Sequence, residues 1–410
     1  MQTDAEPFLQ RIRAYPDDDG PRLVFADWLD EQGGAALARA AFIRVQIALA
    51  TLPETDPARA DLLRAEQVLR DANKDAWEAP FRGLCSLIDF RRGFVDEVRI
   101  GAVPFLRHAH ELFAAAPVRH LHLMDAGPHL GALTASPYLG RLAGLTIEAQ
   151  HLRDPLARAV ARCAHLSGLR RLDLRKNRLT DAGASALAGS PHLAGLEELI
   201  LSENELTESG ARALAASPHL AALRGLDLRH NPVGPAGAEA VAASDRLPRL
   251  EWLNLSGCGL GAPRGHAVPR PGALVRVAVL DLSGNALGPA ALKPLLTADG
   301  PAALRELDLS RNDLGEAGAA VLAAAPALAG LRGLKVSGCG LTDAAVTVLA
   351  SSPHLAGLRS LDLGNNPAAD AAFEPFLDGA RPPRLRRLVV PAIGLSPALR
   401  RALHQKYGSG

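Results

Sequence analysis

A leucine frame recurs along this chain with a strict 27-residue period, and that period constrains the fold more than any other feature. The frame L-x-x-L-x-L-x-x-N-x-L runs through Leu169, Leu172, Leu174, Asn177 and Leu179. It returns at Leu196, Leu199, Leu201, Asn204 and Leu206, and again at Leu223, Leu226, Leu228, Asn231 and Val233. Further copies start at Leu250, Val277, Leu304, Leu331, Leu358 and Leu385, and an earlier one at Leu142, every step being the same. A register kept this strictly means one structural unit stacked on copies of itself. Two weaker copies precede them, one at Val118, Leu121 and Leu123, the other at Val95, Val98 and Ile100. Their spacing is shorter than the regular period and they lack the Asn.

Two periods inside the unit predict its shape. L-x-L has period two, so its leucines share one face of a short strand and the residues between them face solvent. The second half of the unit, as in TDAGASALAGSPHLAGL, carries apolar residues at helical spacing. Leu187 is matched by Leu214, Val241, Val268, Leu295, Leu322, Leu349 and Phe376. Pro191, Pro218 and Pro353 then stop the helix and lead to the next strand. The expected fold is α/β: a right-handed solenoid, or horseshoe, with parallel strands on the concave face and helices on the convex face. Aromatic residues are only 4% of the chain, so its core must be small aliphatics.

At the end of each strand one slot holds Asn177, Asn204, Asn231, Asn285, Asn312 and Asn366, with Cys258 and Cys339 in the same register. An inward Asn there can satisfy backbone groups of adjacent turns, so this ladder is structural. The two cysteines become buried thiols rather than nucleophiles. Gln150 and Ile393 fill the slot at the two ends.

This pattern resembles the ribonuclease-inhibitor type of leucine-rich repeat over roughly residues 95–395. The resemblance implies the horseshoe and a binding role. Relatives include inhibitors and GTPase activators, so a regulator of a small GTPase or another enzyme is the first alternative, although no GTPase-activating residue carries over from the ladder.

Residues 1–80 lie outside the repeat. Thr3 and Glu6 suggest a capping box for a first helix. Pro21 opens a second, PRLVFADWLDEQ, ended by Gly33-Gly34, and further helices fit 35–50 and 58–79. Phe25, Trp28, Leu29, Phe42 and Ile43 form the expected small core. The stretches FLQRIRAYPDDDGPRLVFADWLDEQGG and RAAFIRVQIALA, with the later FRRGFVDEVRI, resemble the repeat-companion module found ahead of leucine-rich repeats in planctomycete bacteria. That resemblance implies a bacterial origin and no settled activity. The expected organisation is a helical module at 1–80, irregular first repeats at 81–141, regular repeats at 142–395, and a C-terminal cap and basic tail at 396–410.

Charge and motif content narrow the function classes. The net charge is +1, so no whole-molecule field steers a charged partner. Residues 1–40 are acidic and 381–410 basic. Asp17, Asp18, Asp19, Asp27 and Asp30 do not fit the calcium-loop spacing and read as caps and surface acids. Cys85, Cys163, Cys258 and Cys339 are too dispersed for a disulfide framework or a zinc site. Phosphate-loop, nucleophile-elbow and zincin motifs are absent. His192, His219 and His354 recur in S-P-H-L as a repeat position. The expectation is a non-catalytic protein that takes no cofactor or metal and binds an unidentified protein. With no apolar signal core and no long uncharged apolar run, no membrane association is expected and the default compartment is the cytoplasm.

Specificity must lie where the repeat is broken. One outward strand column reads Asp173, Ile200, Asp227, Asn254, Asp281, Asp308, Lys335, Asp362 and Val389; its acids are either a partner stripe or a repeat feature. Trp252 stands where Gly225, Glu306 and Gly333 stand in other units, beside Arg229 and His230, and is expected to be partly exposed as an interface anchor. Arg171, Arg175 and Lys176 face Glu198 and Glu203. The segment 261–273 has prolines in place of helix formers and is expected to be a loop. Nucleic-acid binding is the less favoured alternative, through Arg381, Arg384, Arg386, Arg387, Arg400, Arg401 and Lys406, which lack an aromatic stacking platform.

Overall fold

The computed structural model describes residues 2–53, 56–261, 274, 276–296, 303–377 and 382–408. The chain divides into two compact units, residues 1–150 with 163–169, and residues 151–162 with 170–410. Of the segment 261–273, for which a loop was expected, residues 262–273 lie outside the described residues.

The first unit opens with four helices, α1 (Gln2–Ala14), α2 (Gly20–Gln32), α3 (Ala35–Thr51) and α4 (Arg59–Glu78). Helix α1 begins before Thr3, so Thr3 is not its N-cap. Pro21 sits in the first turn of α2, where its missing N–H costs nothing. Strands β1 (Cys85–Arg91) and β2 (Phe94–Gly101) form an antiparallel hairpin, so the sheet does not start in the all-parallel form expected from the repeat. Helix α5 (Ala102–Ala115), β3 (His120–Met124), α6 (Leu130–Ala135) and β4 (Gly144–Thr146) follow, with β2, β3 and β4 parallel.

Phe25, Leu29, Ile43 and Phe94 share a buried cluster, with Trp28 half-buried against it. The hairpin is seated on α3 by Gln46, which donates to the Phe90 carbonyl (3.2 Å) and accepts from the Gly93 N–H (2.6 Å). Gly93 is required twice over. Its φ is +84°, and a Cβ there would lie 2.3 Å from Cγ1 of Ile43. The Arg39 guanidinium lies 4.8 to 5.9 Å from the ring centroids of Trp77, Phe90, Phe94 and Phe42, a cation held by aromatic faces. Acids of the N-terminal segment are engaged locally. Asp18 caps the Gly20 N–H, Asp17 pairs with Arg119, Asp19 with Arg92, and Asp27 and Asp30 both with Arg44.

The second unit is the repeat in regular form. In chain order it runs α7 (Arg153–Arg162), β5 (Arg171–Asp173), α8 (Asp181–Ala188), β6 (Glu198–Ile200), α9 (Glu208–Ala215), β7 (Gly225–Asp227), α10 (Gly234–Ala242) and β8 (Trp252–Asn254). It continues through β9 (Val279–Asp281), α11 (Pro289–Leu295), β10 (Glu306–Asp308), α12 (Gly315–Ala323), β11 (Gly333–Lys335) and α13 (Asp343–Ala350). It closes with β12 (Ser360–Asp362), α14 (Asp370–Leu377), β13 (Arg387–Val389) and α15 (Pro397–Tyr407). Strands β5 to β13 pair in parallel with unbroken register, Leu172 opposite Leu199 opposite Leu226 and onward to Leu388. The strand leucines and the helix residues Leu187, Leu214, Val241, Leu295, Leu322, Leu349 and Phe376 are all buried. Each such side chain contributes roughly 1.5–3 kcal/mol of burial free energy.

Polar ladders tie one repeat to the next. Asn204 is representative. Its Oδ1 accepts the N–H groups of Asn177 (2.9 Å) and Leu179 (3.0 Å), and its Nδ2 donates to the carbonyls of Leu174 (3.1 Å) and Leu201 (2.9 Å). Cys258 and Cys339 do part of this work, their Sγ donating to Leu228 (3.2 Å) and Leu309 (3.1 Å). Burial pushes Cys258 up to about 12 and Cys339 up to about 11, which suits an inert thiol. In the first unit Gln150 takes the same role, accepting from Ala126 (2.7 Å) and donating to Leu123 (2.6 Å). Ile393 does not fill the slot: it is 87% exposed.

A second ladder uses the serine of S-P-H-L. Ser190, Ser217 and Ser352 each donate from Oγ to the carbonyl of Ala161, Ala188 or Ala323 at 2.6 Å. Their helices end before the proline is reached, and Pro191 and Pro353 instead each open a short 3-10 turn. At the C-terminal end Ser396 caps α15, and Tyr407 donates to the Phe376 carbonyl (2.8 Å).

Candidate partner interface

The strand side of the second unit presents two outward columns, and local sequence decides what each can do. The inner column is the Asp column, and its carboxylates are used by the backbone. Asp173 accepts the N–H of Arg175 (3.1 Å), Asp227 that of Arg229 (3.0 Å), Asp281 that of Ser283, and Asp308 that of Ser310 (both 2.9 Å). Asn254 does the same for Ser256 at 2.9 Å, so the position needs an acceptor rather than a charge. Each side chain holds the turn that ends its strand. Burial, with the neighbouring charges of Asp173 and Asp281, raises Asp227 above the usual carboxylate range, although Arg229 pulls it down.

Most of the expected anchor cations face carboxylates of their own chain. Arg175 meets Asp173 at 2.8 Å, Arg229 meets Asp227 at 3.5 Å, Lys176 meets Glu203 at 3.3 Å, and Arg171 pairs with Glu198. Lys335 lies 3.4 Å from Asp308. Asp281 makes no ion pair among the described residues.

Trp252, the first residue of β8, is half-buried because its indole lies on the preceding strand, β7. A Cβ on Gly225 would fall 2.0 Å from both Cε2 and Nε1 of that ring. Gly225 therefore makes the notch that receives the ring. His230 does not join it but lies over Gly257, where a Cβ would be 2.4 Å from its Nδ1. On the other side of Trp252, opposite it in register, Val279 is 44% exposed. Ser256, Ser283, Gly257 and Gly284 give these two repeats low relief beside the pair. Val279 was missed in the sequence because a valine in a strand reads as core until its face is known.

A cavity of about 640 Å³ opens beside Glu197, Arg224, Arg249, Glu251 and Arg276, at the rim where the chain enters the strands. Another of about 620 Å³ in the first unit is lined by Arg13, Arg119, Arg141 and Phe113 among others. Of the basic tail, Arg400 donates to the Ala392 carbonyl, Arg401 to that of Pro397, and Lys406 to those of Phe376 and Leu377. Arg381 lies outside the described residues. His120 pairs with Asp96 at 2.7 Å, and His122 accepts from Arg99 at 3.0 Å. Among the described residues there is no cluster of three or more His, Cys, Asp or Glu placed to hold a metal ion. No helix there is long and apolar enough to cross a membrane.

Two stretches of the chain match models of the leucine rich repeat, residues 167–233 and residues 303–323. No curated protein matches the sequence. Among solved structures, the chain is similar to one from the yeast Rad7 and Elc1 complex, at 16% identity and a TM-score of 0.41, over 90% of this chain and 92% of that one. It is also similar to one from the TLR13–ssRNA13 complex (18% identity, TM-score 0.42), over 72% of this chain and 43% of that one. A third is the functional domain of InlJ from Listeria monocytogenes (16% identity, TM-score 0.35), over 67% and 47%. The matched segments lie inside a parallel sheet of regularly repeated strand–helix units, the fold of a leucine-rich-repeat solenoid.

Proposed function

We propose that the chain is a non-catalytic scaffold that binds a protein partner on its concave, strand-lined face, through Trp252 and Val279 with Asp281 at their edge. The observation that carries this reading is the side-by-side placement of a half-buried indole and an exposed valine on adjacent strands. An aromatic ring set in a notch is already ordered, so docking against it loses little side-chain entropy. Asp281 keeps a carboxylate oxygen for a partner donor. Arg171, Arg175, Arg229, Asp227 and Asp308 contribute a charged frame, each bound first to its own chain. His230 stands one repeat away.

The same reading assigns residues 1–80 to a helical module of the repeat-companion type, 81–141 to irregular first repeats, 142–395 to ribonuclease-inhibitor-type repeats and 396–410 to the end cap. The test is affinity capture from native extract with the wild type, Trp252→Ser/Val279→Ser, and Arg212→Glu on the helical side. Proteins retained by the wild type and by Arg212→Glu, and lost with the double variant, support the reading. A partner retained equally by all three overturns it.

A further inference from the structure

One position of the repeat is absorbed neither by the fold nor by the Trp252 patch: the residue just ahead of each strand. In register it reads Arg170, Glu197, Arg224, Glu251, Ala278, Arg305, Arg332, Arg359 and Arg386. Backbone bonds link these positions directly. Arg332 N–H donates to the Arg305 carbonyl at 2.8 Å, Arg359 to Arg332 at 2.7 Å, and Arg386 to Arg359 at 2.8 Å. The column therefore runs unbroken along one rim of the sheet.

Its two halves differ in charge logic. In the first half each arginine meets a glutamate of the next repeat. Arg170 donates to Glu197 at 3.0 Å, and Arg224 grips Glu251 with bonds of 2.8, 2.9 and 3.1 Å. In the second half every glutamate is replaced by arginine. Arg332, Arg359 and Arg386 are exposed and have no carboxylate within ion-pair distance among the described residues. Arg305 donates to its own Leu304 carbonyl (3.0 Å) and lies over Gly330. Arg384 and Arg387 add exposed cations at the end of the row. In the adjoining column the Glu306 carboxylate lies over Gly333; burial raises it above its ordinary value, against the pull of Lys335 and Arg332. Like charges set directly across neighbouring strands repel one another. The chain has a pairing that avoids this and uses it in the first half.

We infer that the rim formed by Arg305, Arg332, Arg359 and Arg386 is a docking site for an acidic polypeptide segment. Strands about 4.8 Å apart place the four guanidinium stems over roughly 14 Å, the reach of four or five residues of extended chain. The first half of the rim shows which ligand the geometry suits, since it seats a glutamate carboxylate between successive repeats. An incoming Glu or Asp would occupy the same place against Arg332 or Arg359, with two-pronged bonds available to each guanidinium. A nucleic-acid strand is disfavoured because the described residues of this row have no aromatic ring on which bases could stack. The rim lies outside the Trp252 patch and stands independently of it.

The variant Arg332→Glu/Arg386→Glu rebuilds the Arg–Glu alternation of the first half, so it removes the site while relieving repulsion. Fluorescence anisotropy would follow labelled deca-glutamate and a labelled ten-nucleotide deoxythymidine strand at 50 mM salt. The wild type is expected to bind deca-glutamate, and to bind it more tightly than the oligonucleotide. The double variant should bind the peptide at least tenfold more weakly, with a melting temperature no lower than wild type. Arg158→Glu/Arg162→Glu on α7, with the same net-charge change, and Trp252→Ser should both bind as wild type does. An equal loss in the α7 variant would make the effect bulk charge and overturn the site. Preferential oligonucleotide binding that depends on the rim would overturn the polypeptide as its ligand. A partner lost with the Trp252 variants while peptide binding is unchanged would separate the two surfaces.

Discussion

Replacing Asn204 with alanine removes a side chain that makes bonds to two repeats. The N–H groups of Asn177 and Leu179 lose their acceptor, and the Leu174 carbonyl loses one of two side-chain donors, keeping Asn177 Nδ2 at 3.2 Å. Asn177, Leu179 and Leu174 are all fully buried, so water does not reach them without opening the ladder. A buried polar group without a partner costs about 1–3 kcal/mol, and a water entering the vacated space would recover part of that. The expected destabilisation is about 3–5 kcal/mol. Cysteine should be milder, about 1–3 kcal/mol, because Cys258 and Cys339 keep the bond to the preceding repeat's carbonyl. Aspartate should cost at least as much as alanine at neutral pH. It keeps one acceptor but turns a second oxygen toward the carbonyls of Leu174, Leu201 and Ser202, where Nδ2 now donates. Urea unfolding followed by far-ultraviolet circular dichroism gives the order directly. An alanine variant within about 1 kcal/mol of wild type, or a cysteine variant less stable than alanine, would refute the account of the ladder.

Three other substitutions test separate parts of the structure. Gly225→Ala puts a Cβ into the indole of Trp252, so that ring should leave its notch and its emission should move to longer wavelength; subtracting Gly225→Ala/Trp252→Phe isolates it from Trp28 and Trp77, and an unmoved band counts against the stacking. Asp227→Asn keeps the acceptor for Arg229, as Asn254 does for Ser256. Because the folded-state carboxyl of Asp227 is raised, it holds its proton to higher pH than in the unfolded chain, so wild-type stability gains as pH falls through that folded value. The Asn variant should lose that gain and be no less stable at pH 7; urea midpoints from pH 7 to 3 decide it, and an unchanged pH slope would be the contrary result. Gly93→Ala meets both a positive φ and the Ile43 backbone, 2.7 Å from its Cα, so it should destabilise the first unit by more than about 3 kcal/mol; a variant with wild-type melting would contradict this seating of the hairpin.

Much of the architecture was legible because it is periodic. The frame leucines, the Asn and Cys slot and the helix positions from Leu187 to Phe376 rest on spacing, and burial followed the expectation in the units from Leu169 to Ala368, while Leu152 and Leu385 at the two ends are half-buried. The N-terminal helices were bounded within a residue or two by Gly33-Gly34, Pro21 and Pro57. Where the expectations failed, a local cue was overruled. Ile393 shares the slot register but is exposed. Thr3 has capping chemistry but lies inside the helix. The hairpin Cys85–Gly101 is antiparallel because its two-residue connection, Arg92 and Gly93, is too short for a parallel crossover.

The candidate site divides in the same way. Trp252 stood out in the sequence as a departure from the repeat, but its role depends on Gly225, one full repeat earlier, and on Val279, one full repeat later. The Asp column was ambiguous until its oxygens were placed, since an acid facing solvent and an acid closing a turn have the same spacing. The arginine rim was written in R-x-L-x-L but looked like repeat consensus. Only stacking shows that Arg170 and Arg224 pair with a glutamate where, among the described residues, Arg332 and Arg359 have no carboxylate within ion-pair distance. Period and residue class settle what is buried, because burial follows from one unit repeated. Which surface groups meet is decided between units, by side chains distant in sequence whose contacts exist only once the strands are in register.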